Sequence, residues 1–172
     1  NVSGDTVNVN GVATTVNGSG NTITTSGTSS VNLTGDAILN GTGATINLGA
    51  NSRLSIAEAT GPDTISASHG ASDTLVFGSG IAEDQLWFSL SGNNLLITVD
   101  GTSETETISN WFYGTTNQFG AVELSTGQSI SAAGVNALVQ AMASMSPPPM
   151  GQMTLSTSQE QQLAPVFAAN WH

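Results

Sequence analysis

The chain has 172 residues, one Lys or Arg against twelve Asp and Glu, a net charge of −11, two His and no Cys. That length can bury a core in one domain or two small ones. The charge excludes a basic face for nucleic acid or an anionic membrane, and the missing thiols exclude disulfides, thiol catalysis and Cys-bearing zinc sites. No apolar run approaches the roughly 18 residues of a membrane-spanning helix. A start at Asn1, with neither an initiator Met nor a charged-then-apolar leader, is expected of a fragment or a processed product.

Hydrophobic residues make up 38% and charged residues 8%, and the polar remainder is mostly Ser, Thr, Asn and Gly. This mix suits short strands joined by tight turns and suits long helices poorly. From the N-terminus, branched aliphatics recur at Val7, Val16, Ile23, Val31, Ile38, Ile46 and Leu54, spaced seven to nine residues apart. Most sit in alternating pieces such as Val31-Asn-Leu33 and Ile46-Asn-Leu48, divided by Gly-bearing turns at Gly11, Gly18, Gly27, Gly35, Gly41 and Gly49. Alternation sends one side chain in and the next out.

Strands this short cannot stand alone. Repeated at fixed spacing, they fit a parallel β-solenoid with two strands and about 16 residues per coil, each coil burying its inward residues against the next. Residues 5 to 56 would make about three coils. A sandwich of antiparallel hairpins is the competing arrangement, but its strands usually need about five or six residues. Stacking predicts two ladders two residues ahead of the inward positions: Asp5, Asn21, Asp36 and Ser52 on one edge, and Thr14, Ser29 and Ala44 on the other.

The pieces Gly4-Asp-Thr-Val7, Gly18-Ser-Gly-Asn-Thr-Ile23, Gly35-Asp-Ala-Ile38 and Gly41-Thr-Gly-Ala-Thr-Ile46 resemble degenerate copies of the haemolysin-type (RTX) calcium-binding repeat. The closest stretch is Gly61-Pro-Asp-Thr-Ile65 followed by His69-Gly-Ala-Ser-Asp-Thr-Leu-Val-Phe-Gly78. The resemblance implies Ca²⁺ held by turn carboxylates and carbonyls, the hard oxygen ligands that ion takes. Asp63 and Asp73 are then the leading ligand candidates, with Asp36 and Asp5 behind. The eight-residue beat, the absent Gly-Gly pairs and the Asn, Ser, Thr or Ala at most Asp positions leave most turns metal-free. The competing role for these Asp residues is closing turns through local hydrogen bonds.

The following stretch resembles the haemolysin-type calcium-binding-related domain. Its motifs run Asp73-Thr-Leu-Val-Phe-Gly-Ser-Gly-Ile-Ala-Glu-Asp-Gln-Leu86, Ser91-Gly-Asn-Asn-Leu-Leu-Ile-Thr-Val99, Glu106-Thr-Ile-Ser-Asn-Trp-Phe112 and Val122-Glu-Leu-Ser-Thr-Gly-Gln-Ser-Ile130. Trp87, Phe88, Leu90, Leu95, Leu96, Ile97, Val99, Ile108, Trp111, Phe112, Phe119, Val122 and Leu124 make it the densest apolar block, a cap for the open solenoid edge. Read instead as a sugar platform, these aromatics would face outward, whereas strand-period aromatics usually face the core. Glu83-Asp84 reads as the exposed start of a helical turn, and Glu104 and Glu106 as a solvated loop or strand edge.

Ser131 to Met145 reads as a helix capped by Ser131, with Val135, Leu138, Val139, Met142 and Met145 on one stripe. Pro147-Pro-Pro149 ends it. A second helix is expected over Ser158–Asn170, with Leu163, Val166 and Phe167 on one face and Pro165 limiting its regularity. The closing Leu163-Ala-Pro-Val-Phe-Ala-Ala-Asn-Trp-His172 resembles the ends of RTX proteins exported by type I secretion.

The expected architecture is therefore all-β. Residues 1–72 form a short parallel β-roll or β-solenoid with two strands per coil. Residues 73–130 form a β-rich cap, and 131–172 carry one or two helices and the export signal. No nucleophile elbow, Lys-bearing phosphate loop or catalytic cluster is present in the sequence, and His69 and His172 are isolated along it, so no enzymatic activity is expected. The resemblance implies the structural, folding-nucleating and export end of a secreted, extracellular or cell-surface toxin or adhesin. Its partners would be the inner-membrane ABC transporter and outer-membrane channel of a type I system, with Ca²⁺ as cofactor. The alternative is an extracellular binding module for polysaccharide, cell surface or ice, using outward Thr, Asn and Ser. An ordered Thr grid would favour it, and Thr22, Thr24 and Thr25 are too irregular to make one.

Overall fold

The computed structural model describes residues 3–57, 61–67, 69 and 72–172. Gly70 and Ala71 of the closest repeat-like stretch lie outside them. The first nine strands are β1 (Thr6–Asn10), β2 (Ala13–Asn17), β3 (Asn21–Ser26), β4 (Ser29–Thr34), β5 (Ala37–Gly41), β6 (Ala44–Leu48), β7 (Arg53–Ile56), β8 (Asp63–Ala67) and β9 (Thr74–Phe77). Odd-numbered strands stack in parallel in one sheet and even-numbered strands in the other, making a two-strand-per-coil β-solenoid of about four turns.

The register explains the stacking. In the first sheet Val7, Ile23, Leu39, Ile56 and Phe77 follow one another in a single column. In the second, Val31, Ile46 and Ile65 do the same. All but Val7 are fully buried, and each large aliphatic taken from water contributes about 1.5–3 kcal/mol. Ile38 departs from the expected beat. It is 46% exposed, while Ala37 and Leu39 face inward. The turn before β5 sets the parity one residue off, and a one-residue slip exchanges the two faces of a strand. Thr14 likewise stands beside Val31 rather than in a ladder with Ser29 and Ala44.

The cap continues both sheets. A meander of β10 (Leu86–Ser91), β11 (Asn94–Val99) and β12 (Thr105–Ile108) lays β12 in parallel on β8. Strand β13 (Ala121–Leu124) lies in parallel on β9, and β14 (Ser129–Ser131) closes that sheet antiparallel. Leu86, Trp87, Phe88, Leu95, Ile97, Val99, Ile108, Trp111, Phe119, Val122 and Leu124 join the solenoid interior in one core. Leu90 and Phe112, also expected inside, are exposed, and Leu96 is half-buried.

Helix α1 (Ala132–Met142) starts where Ser131 Oγ accepts the Gly134 N–H, as expected of an N-cap, and ends one turn short of Met145. Helix α2 (Thr157–Asn170) starts one residue before the expected boundary. Ser156 and Gln159 form a reciprocal capping box, which sets that earlier start. Pro165 lies within α2. Buried Leu163 and Phe167 hold the helix against the core although the proline removes one backbone donor. Ser129 and His172 exchange backbone hydrogen bonds of 2.8 and 3.0 Å, tying the chain end to β14.

Candidate functional site: a buried carboxylate group where cap meets solenoid

The turns are closed by side chains with a shared geometry. Asn21 Oδ1, Ser29 Oγ and Ser52 Oγ accept the N–H of Asp5, Gly11 and Gly35, one coil earlier, at 3.3, 3.1 and 3.2 Å. Each side chain also donates to the carbonyl three residues before itself, Gly18, Ser26 and Gly49 respectively. These bonds join consecutive coils and satisfy backbone groups that the turn removes from the ladders.

Asp63 and Asp73 occupy the same kind of position. Asp63 Oδ1 accepts the Ala44 N–H at 2.6 Å, and Asp73 Oδ1 accepts the Ser52 N–H at 3.0 Å. A carboxylate can accept but cannot donate, and in both residues Oδ2 is buried with no hydrogen-bond partner among the described residues. Asp5 and Asp36 are exposed. The predicted Asp5–Asn21–Asp36–Ser52 ladder divides in two: Asp5 and Asn21 lead to Ala37, whereas Gly35 leads to Ser52 and Asp73. The four candidate ligands are therefore dispersed, with Asp63 at the start of β8 and the other three along the edge of the opposite sheet.

What gathers around Asp63 is a pair of acids expected in a solvated loop or strand edge. Glu104 is 2% exposed, Glu106 0% and Asp63 3%. Glu106 stands beside Asp63 in the β12–β8 register, and neither Glu106 oxygen has a hydrogen-bond partner among the described residues. The signal was present: Glu104, Glu106 and Ile108 alternate in step, and Ile108 belongs to the core.

Burial costs a carboxylate its hydration, so the proton is held more tightly. Burial, opposed by the Ala44 N–H and reinforced by Glu104, raises Asp63 from 3.8 to about 6. Burial and then the neighbouring Asp63 and Glu104 charges push Glu106 well above its ordinary value. Asp100, buried at the turn after β11 with both oxygens unpartnered among the described residues, rises to about 7 through burial and the nearby Asp84. The chain's one basic side chain does not neutralise these acids: Arg53 pairs with Glu123 at 2.6 Å on the other sheet.

The unpartnered oxygens of Asp63 and Glu106 match the donor chemistry of a hard cation. The carboxylates are not gathered into a finished cage, since no cluster of three His, Asp or Glu is set for a metal among the described residues. Asp5 and Asp36, exposed and separate, do not fit such an ion. Asp73 has one orphaned oxygen and no acidic register partner. No protein-family model matches the chain.

Proposed function

We propose that this chain is the C-terminal structural, folding-nucleating and export module of a large secreted RTX-type protein, a toxin or adhesin, with calcium as a stabilising ion. The observation that carries the reading is the seating of β12 on β8 and β13 on β9, both in parallel. A cap with that pairing presents one ready strand edge to each sheet, so coils can add upon it once it has folded. Export with the C-terminus leading through the ABC transporter and outer-membrane channel would deliver the cap first. Calcium outside the cell would then be drawn to the orphaned oxygens of Asp63 and Glu106, stabilising the folded state by mass action. The test places a passenger ahead of residues 1–172 in cells carrying a type I system. The intact chain should carry it into the medium, and a chain lacking residues 157–172 should not. Retention of the intact fusion, or equal export of both, would refute the export role.

One observation favours the binding module as a second reading. Sheet register places outward Ser30, Thr45, Thr64 and Thr107 in one column, with Asn32, Asn47 and Ser66 beside it. Asn47 Nδ2 donates to Asn32 Oδ1 at 3.0 Å. This grid lies on the second sheet, whereas Thr22 and Thr24 are on the first and Thr25 is buried. Lysine at Thr64 would abolish binding by that face.

A further inference from the structure

The loop after β12 joins a rigid anchor to an exposed ring. Trp111 is fully buried; its indole N–H donates to Asn136 Oδ1 on α1 at 2.8 Å, and its carbonyl accepts from Gln118 Nε2 at 3.1 Å. Two residues later Tyr113 is 79% exposed. Asn110 takes a left-handed φ of 57°, uncommon outside glycine, which turns the chain toward the tip of the β10–β11 hairpin. The tip is tied to the loop: Asn110 N–H donates to Asn94 Oδ1 at 2.8 Å, and Phe112 N–H to the Asn93 carbonyl at 3.0 Å.

Between tip and loop lies an open cleft of about 480 Å³, lined by Asn93, Asn110, Tyr113, Thr116 and Asn117. None of these is charged. Among the described residues the three amide side chains and the Tyr113 hydroxyl form no hydrogen bond, although the backbone that carries them is fixed. Each amide offers two donors and an acceptor, and the hydroxyl offers both roles. An aromatic face next to unengaged amides fits a ligand with an apolar face and a rim of hydroxyls. A purely apolar ligand would strip water from the amides without replacing those bonds. An anionic ligand would meet no counter-charge on a chain of net −11.

From these observations we infer a binding site for a neutral saccharide in the Tyr113 cleft. One pyranose face stacks on the Tyr113 ring, and its hydroxyls exchange hydrogen bonds with Asn93, Asn110 and Asn117. The site is separate from the outward grid of the second sheet and independent of the export role.

The test is a nuclear magnetic resonance titration of the full chain with cello-, laminari-, malto- and xylo-hexaose at millimolar concentration. At least one sugar should give saturable shifts confined to residue 93 and residues 110–117. Tyr113→Ala should weaken that binding about tenfold or more, and Tyr113→Phe, which keeps the ring face, should retain most of it. Asn93→Ala and Asn117→Ala should each weaken it severalfold. The side chains replaced are at the surface, so unchanged circular dichroism will separate loss of binding from loss of fold. Thr64→Lys should leave the binding intact. The inference is overturned if no hexaose saturates, if Tyr113→Ala binds as well as the parent, or if Thr64→Lys removes the binding and so moves it to the solenoid face.

Discussion

Replacing Glu106 by Gln isolates the cost of the buried acids. Gln keeps the volume of Glu, never carries a charge, and its amide can donate toward the orphaned Asp63 Oδ2. With chelator present, only protons are available to neutralise the group. A carboxyl whose folded pKa is raised holds its proton longer than the unfolded chain does, so stability is highest in acid and falls as pH climbs from the unfolded toward the folded value. For Asp63, moving from 3.8 to about 6, the loss is on the order of 3 kcal/mol, at roughly 1.4 kcal/mol per pH unit. Glu106 adds to the same slope with the same sign. Glu106→Gln removes that share and should gain about 1–3 kcal/mol at pH near 8, the cost of a buried unsatisfied group. A chain of this size gains roughly 2–4 °C in melting temperature per kcal/mol. Thermal unfolding followed by circular dichroism across pH ~4–8 measures both quantities. Millimolar calcium should raise the melting temperature of the parent and leave Glu106→Gln nearly unmoved. The reasoning fails if the variant is less stable than the parent in chelator near neutral pH and keeps the same pH slope.

Other expectations follow from the turns and from the second acidic position. Asp100→Asn should stabilise the chain above pH ~7 and have little effect below pH ~4, where this carboxyl is protonated folded or unfolded; a uniform shift across that range would contradict its placement. Ser29→Ala deletes a hydroxyl that accepts from Gly11 and places its one O–H within reach of the Val9 and Ser26 carbonyls. It should cost about 1–3 kcal/mol in denaturant unfolding. Gly41 has φ 117°, and a Cβ there would collide with the Thr25 carbonyl oxygen of the coil before, so Gly41→Ala should destabilise by more than ~1 kcal/mol. An unchanged unfolding midpoint would mean that the coils are not in contact at that turn.

Period-two alternation and Gly spacing were sufficient to place the strands, their parallel stacking and the apolar cap. They failed where parity shifts by one. Ile38 and Ala37 both suit an inward site, and the turn before β5 alone decides between them. Tail helices were legible from the Ser131 cap and the Val135–Met142 stripe, but their ends were not. Met145 fits the stripe of α1 and packs against the core, yet the helix ends at Met142. Among the candidate ligands, the part of Asp63 and Asp73 in bridging turns was readable as one of their two roles. The acidic company of Asp63 was not, because solvated strand edges are the commoner place for Glu.

The local sequence thus determined a ladder of short strands under an apolar block, since side-chain alternation and turn chemistry act over a few residues. Tertiary pairing alone brought Glu106 beside Asp63 across 43 positions of chain. Cap strand β12 could seat on β8 only by carrying its inward row with it, and in that row Glu106 precedes Ile108 as Asp63 precedes Ile65. Matching the two isoleucines in the core therefore forces the two carboxyls together, a consequence of register that neither segment encodes alone.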